Sequence, residues 1–438
     1  MRSVLQRVFE SWRKSVAGAI ALAAVLGVFG IALADLPAGF DARTPIGPYL
    51  NGVITQPSNP QMPVLLSQTG AFSDVVSRTP TAGLVPYDLN SPLWTDGSIK
   101  SRFLALPYDG TPGSPGSPQV GNPQDDFWTF PAGTVIVKNF DLLVDERPGA
   151  ANPVRRLETR LLVRYVNAAG AQSIKGATYR WNEDYSEATR VYFDTTAPIT
   201  VTQADGSTRQ QPWLFPGPAS CLLCHNQASG MVLGPQTAQL NKDFNYGQYL
   251  AGGRVDNQLH TWSKLGMLAT PLPDTASYPN LPKMVDVADT NATMENRVRS
   301  YIASNCSFCH RRALAAGELD GPGPKYDMRY QTPNAATKLF DPDFRGPEYV
   351  GFTRDSLAAS MLYTRDKAFP GEFPGPMPPL GRNVPDQRVL DLYDQWVNAE
   401  YDVTLATAIS ANQVLLTFNR ALEPVSAGTA ANYAINGL

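Results

Sequence analysis

The apolar positions change their spacing along the chain. Between residues 127 and 200 they form short runs, 134–138 (TVIVK), 158–165 (ETRLLVRY) and 189–193 (TRVYF). Turn residues at Pro148-Gly149 and Ala168-Ala169-Gly170 separate them, which predicts strands joined by tight connections. Further on the spacing becomes helical. Leu259 and Trp262 give an apolar side to a helix over 255–265, and Val298, Tyr301 and Ile302 fall at i, i+3, i+4. Val389, Leu392, Tyr393, Trp396 and Val397 make an unbroken stripe on a third helix, with Pro385 suited to its first turn. Residues 109–122 are turn-rich, and 276–290 read as a linker.

Both ends of the chain depart from this pattern. Arg2, Arg7, Arg13 and Lys14 precede an apolar run over 16–33, and Ala32-Leu33-Ala34 offers a small-residue cleavage site, so residues 1–34 are expected to be an export signal. The run is about as long as a short membrane span, which leaves an uncleaved anchor as the alternative. No later stretch approaches that length, so no span is expected after cleavage. At the other end, 413–420 (QVLLTFNR) and 431–433 (ANY) resemble the first strands of a bacterial Ig-like module. Such a sandwich needs about seven strands, so 403–438 is expected to be the start of a truncated one.

Composition narrows the class. Of 438 residues, 43% are hydrophobic and 17% charged, a globular balance. The formal net charge is −3, and loss of the signal would remove four cations and only Glu10. An acidic exported chain is a poor match to nucleic acid and is compatible with an exported redox protein as partner.

The cysteines change the picture most. All four lie in two pairs of identical spacing, Cys221-Leu222-Leu223-Cys224 and Cys306-Ser307-Phe308-Cys309, and each pair is followed at once by histidine, His225 and His310. With three histidines in the whole chain, chance places one at a given position about once in 150. Two thiols one helical turn apart can add across the vinyl groups of one haem, and the next residue can offer its imidazole to the iron. Two haem c groups (iron) are therefore expected, held by Cys221, Cys224 and His225 and by Cys306, Cys309 and His310. A four-cysteine zinc site would leave both histidines unexplained. Two thioredoxin-like disulfides would want a βαβ setting that is missing here.

Around the second motif, helix, haem motif, the loop 375–380 (GPMPPL) and a closing helix follow in an order that resembles the cytochrome c domain. That resemblance implies His310 as proximal and Met377 as distal ligand, the thioether stabilising reduced iron. For the first motif, Met231 lies too near to reach over the ring. Met267, His260 or an iron left open or otherwise ligated are the alternatives.

Two further resemblances concern the N-terminal part. Residues 130–138 (FPAGTVIVK) are similar to the opening strand of cytochrome P460-type domains, which carry a haem cross-linked to lysine and oxidise small nitrogen compounds. The plainer reading of Lys138 is an exposed strand lysine. The run 86–97 (PYDLNSPLWTDG), with 221–226, 233–241 and 257–265, resembles a group of bacterial exported di-haem cytochromes without assigned function; this likeness covers most of residues 80–400. Read for itself, that run is an ordered loop packing Tyr87, Leu89 and Trp94.

The chain is thus expected to be α+β. A signal (1–34) precedes a β-rich domain (35–215) and a first haem-binding region (216–275). A mainly α-helical cytochrome c-like domain (276–402) and the Ig-like β tail (403–438) complete it. Two functions follow: periplasmic electron transfer between redox partners, or a haem enzyme, peroxidase-like or acting on small nitrogen compounds, with the first haem catalytic and the second as relay.

Overall fold

The computed structural model describes residues 43–52, 58–123, 127–250, 252–272, 275–311, 321–323, 326–341, 350–353, 356–398, 403–410 and 413–418. The expected export signal and residues 419–438 of the expected tail lie outside these. Among the described residues no helix is long and apolar enough to cross a membrane.

The centre of the molecule is a six-stranded sheet formed by β1 (Val85–Tyr87), β2 (Ile99–Ala105), β3 (Val135–Leu143), β4 (Val154–Val166), β5 (Gln172–Trp181) and β6 (Ala188–Val191). The strands pair in chain order, each antiparallel to the next. Both faces are covered, which is why Val135-Ile136-Val137 is a continuous apolar run rather than an alternation. On one face Phe103, Val137, Leu161, Val163 and Tyr179 pack on Leu66 and Phe72. On the other, Leu104, Ile136 and Ile174 share a core with Trp128, Leu259, Trp262 and Met267. Residues far apart in sequence therefore close one core. A hairpin, β7 (Thr195–Thr202) with β8 (Thr208–Phe215), extends this face, and its Ile199, Trp213 and Phe215 bury Phe140 and Leu142.

Helices are short and few. They are α1 (Pro218–Cys224), α2 (Gln258–Lys264), α3 (Met294–Cys306), α4 (Met361–Lys367) and α5 (Gln387–Asn398), besides two helices of four residues and short 3-10 turns in the region beyond β6. Thr293 caps α3 by accepting the Asn296 N–H at 3.2 Å. Val298, Tyr301 and Ile302 of α3 meet Val389, Tyr393 and Trp396 of α5.

The expectation of a mainly α-helical haem domain is overturned: only 22% of the described residues are helical, and the fold is β-rich. The reason lies in the segments between α3, α4 and α5. Pro- and Gly-punctuated stretches such as Phe373-Pro374-Gly375-Pro376 lack the backbone donors a helix needs. Buried Arg299 holds irregular chain at 329–332, and buried Arg382 caps the C-terminal end of α4. Arg299 donates to Arg329 O and Thr332 O, and Arg382 to Arg365 O, Asp366 O and Ala368 O. The region expected as a helix over 255–265 begins as a strand (Val255–Asn257) and turns helical only at Gln258. Beyond it, β9 (Val403–Ser410) and β10 (Gln413–Phe418) pair as an antiparallel hairpin.

Candidate functional site

Helix α1 carries the first motif and lies directly on β5. Pro218 opens it, and Cys221 and Cys224 lie one turn apart. The close approach depends on Gly176 of β5, where a Cβ would stand 2.5 Å from Cys221 Sγ. Only glycine leaves room there.

His225 follows the helix and donates its backbone N–H to Cys221 O at 3.0 Å. Its Nδ1 lies 2.7 Å from Met231 O. A carbonyl only accepts, so the proton sits on Nδ1 and the Nε2 lone pair is left bare. A built loop presents that carbonyl. Ser229 Oγ donates to Cys224 O at 2.7 Å, Met231 N to Asn226 O at 2.9 Å, and Gly230 and Met231 take positive φ. Burial holds the His225 imidazole down to about 4, Lys138 and Arg160 adding to the effect while the Met231 carbonyl opposes it. The ring is neutral at pH 7. The Met231 side chain turns elsewhere, its sulfur against Arg164 Nη1.

Cys221, Cys224 and His225 line a cavity that is partly open to solvent. From the sheet, Ile136, Lys138, Phe140, Arg160 and Leu162 also line it. Tyr87, Leu89 and Trp94 line it too, so the loop read from sequence as structural packing also borders the site. Ala303, Ser307 and Phe308 enter from α3 and the second motif, with Pro378 and Leu380 from the loop around Met377. Lys138 is a lining residue, partly shielded, rather than an exposed strand lysine.

The second motif ends α3. Cys306 is buried in the α3–α5 core, and burial pushes its thiol well up, with Asp366 adding to the effect. His310 donates its backbone N–H to Cys306 O at 2.8 Å. Its ring packs on Gly323, where a Cβ would come within 2.8 Å of Cε1, and lies 6.3 Å from the Tyr326 ring. Met377 is half-buried, its N–H donating to Arg365 O at 3.2 Å, one residue before the carboxylate that acts on Cys306.

The two motifs are neighbours. Burial pushes Cys224 up to about 12, with Cys309 the next cause. Arg311, just after His310, stacks 4.9 Å over Phe127 of the first cavity. All four cysteines are free thiols, and no group of three or more His, Cys, Asp or Glu able to hold a metal ion is found among the described residues.

Of the other residues singled out from sequence, Met267 is fully buried among Leu259, Trp262 and Leu265, its carbonyl accepting from Val120 N at 2.8 Å. His260 Nδ1 donates to Asp256 at 3.0 Å. Neither is among the residues that line the cavity beside His225. Sequence reasoning missed Arg102 and Arg160, which do line it. Parity marks Lys138, which alternates with Ile136 and Phe140 on one face, but Arg102 and Arg160 join it only through strand register.

In comparison with known protein families, curated proteins and solved structures, nothing matches this chain.

Proposed function

We propose that the chain is an exported di-haem c-type cytochrome, related to the bacterial group its motifs resemble. It passes electrons between exported redox partners, most simply in a periplasm. The observation that carries this reading is the first motif's donor set. Two thiols one helical turn apart and a neutral imidazole with a bare Nε2 border one cavity, lined also by the apolar groups Ile136, Leu162 and Phe140. That set fits a flat macrocycle joined through sulfur and ligated by nitrogen. Bound there, the haem supplies a reversible one-electron couple. Cys221, Cys224 and His225 would hold one haem, and Cys306, Cys309 and His310 the other, with Met377 as its thioether ligand. The Met231 carbonyl orients His225 and keeps its proton away from the iron-binding nitrogen.

One observation favours the second reading, a haem enzyme with the first haem catalytic and the second as relay. Among the described residues lining the first cavity there is no methionine and no second histidine, and the wall carries cations instead. Spectra of the as-isolated protein separate the two. Low-spin ferric bands from both haems, unmoved by cyanide, support electron transfer alone. A high-spin component that shifts with cyanide supports the enzyme.

A further inference from the structure

The sheet wall of the first cavity carries more positive charge than its own carboxylates answer. The pairing register sets Tyr87 opposite Arg102, Arg102 opposite Lys138, Lys138 opposite Arg160, and Arg160 opposite Thr178. Three cations therefore stand side by side on one face of adjacent strands, where like charges directly opposite destabilise a sheet. The outer two are answered. Arg102 pairs with Asp88 at 2.6 Å, though Asp88 is shared with Lys242 at 3.0 Å. Arg160 pairs with Glu158, which is fully buried. Lys138 stands between them without a carboxylate of its own; its Nζ lies 4.8 Å over the Phe140 ring, which Arg160 also covers at 4.3 Å. Lys100 adds another cation near the same ring, at 6.0 Å. Burial and the flanking Arg102, Lys100 and Arg160 hold the Lys138 ammonium well below its ordinary value, with Glu158 opposing them.

We infer that the Arg102–Lys138–Arg160 row is an anion-binding site, taking a carboxylate or small oxyanion in the cavity that His225 also lines. A sheet that places three cations in register beside a cavity is relieved when an anion enters it, and the surrounding Ile136, Leu162 and Phe140 reduce competition from water. The occupant has two sources of the same chemistry: a carboxylate of the porphyrin itself, or a free oxyanion. The inference deepens the haem-enzyme reading and rests on it for the identity of the occupant, but not for the existence of the site.

The test uses the full purified chain as isolated, titrated calorimetrically with sodium nitrite at constant ionic strength, beside Lys138→Gln and Lys138→Arg. A free-oxyanion site predicts that the wild type binds nitrite, that Lys138→Gln binds at least tenfold more weakly, and that Lys138→Arg restores binding. A porphyrin carboxylate in the site predicts no nitrite binding by the wild type. In that case Lys138→Gln lowers the reduction potential of the first haem, and Lys138→Arg leaves it near the wild-type value. The inference is overturned if Lys138→Gln binds nitrite as the wild type does. It is equally overturned if the wild type binds none and the potential of Lys138→Gln is unchanged. Should the chain carry no covalent haem, the proposed function fails, while the nitrite titration still decides the anion site.

Discussion

At the scale of single residues, Asp366 couples this fold to pH. It is buried beside Cys306 and accepts a hydrogen bond from the Tyr393 hydroxyl at 2.9 Å. Burial raises its pKa from the ordinary 3.8 to about 7, against the pull of Arg382 and Tyr393. The native state therefore holds more protons than the unfolded chain between those values. Stability from this group is complete below about pH 4 and is lost as the pH rises through about 7. Asp366→Asn keeps an acceptor for Tyr393 and removes the titration. Its melting temperature is expected to fall less than that of the wild type between about pH 4 and about pH 7; parallel melting curves for the two proteins would contradict this.

The same scale shows what a sequence conveys and what it hides. Cys221, Cys224, His225 and the second motif are visible because covalent chemistry fixes their spacing in sequence. Arg102, Lys138 and Arg160 are brought together by strand register, and nothing local marks three charges on three strands as neighbours. Met231 was set aside as a ligand, yet its backbone carbonyl orients His225. Backbone roles leave no trace in residue type.

At the scale of elements, α1 depends on Gly176. Gly176→Ala would put a methyl 2.5 Å from Cys221 Sγ and 2.8 Å from its Cβ; the thiol can rotate, but the Cβ is fixed by the α1 backbone. The expected cost is about 1–3 kcal/mol, as for other overpacked cores. Chemical denaturation measures it. Haem content should fall at the first motif, read by peptide mass spectrometry, with the second unchanged.

Element type was legible where apolar spacing was sustained, as in β3, β4, α3 and α5. It failed for the region as a whole between α3 and α5. There the helical signals are real but brief, and irregular chain, tied down at 329–332 by Arg299, separates them, while Arg382 caps the end of α4. A stripe reports a helix; it does not report how much of a domain is helical.

At the scale of the whole molecule, the segment after β1 ties the sheet to the second motif. Trp94 donates its backbone N–H to Asn305 at 2.8 Å and its indole N–H to Val384 O at 2.7 Å. Asp96, buried at 4% exposure, accepts from Asn383 N at 2.7 Å, Asn383 Nδ2 at 2.9 Å and Val384 N at 2.8 Å. Asp96→Ala would leave two backbone donors without their acceptor, costing about 1–3 kcal/mol. Limited proteolysis should then cut faster near 381–384, while Asp96→Asn, which retains an acceptor oxygen, should be cut more slowly than Asp96→Ala.

The central claim is that each Cys-x-x-Cys-His motif carries one covalent haem. A pyridine haemochrome assay on the purified protein, repeated on Cys221→Ala/Cys224→Ala, tests it most directly. The account predicts about two c-type haems per chain in the wild type and one in the variant, the remaining haem on the peptide containing Cys306 and Cys309. No covalent haem in the wild type, with zinc bound instead, would contradict it.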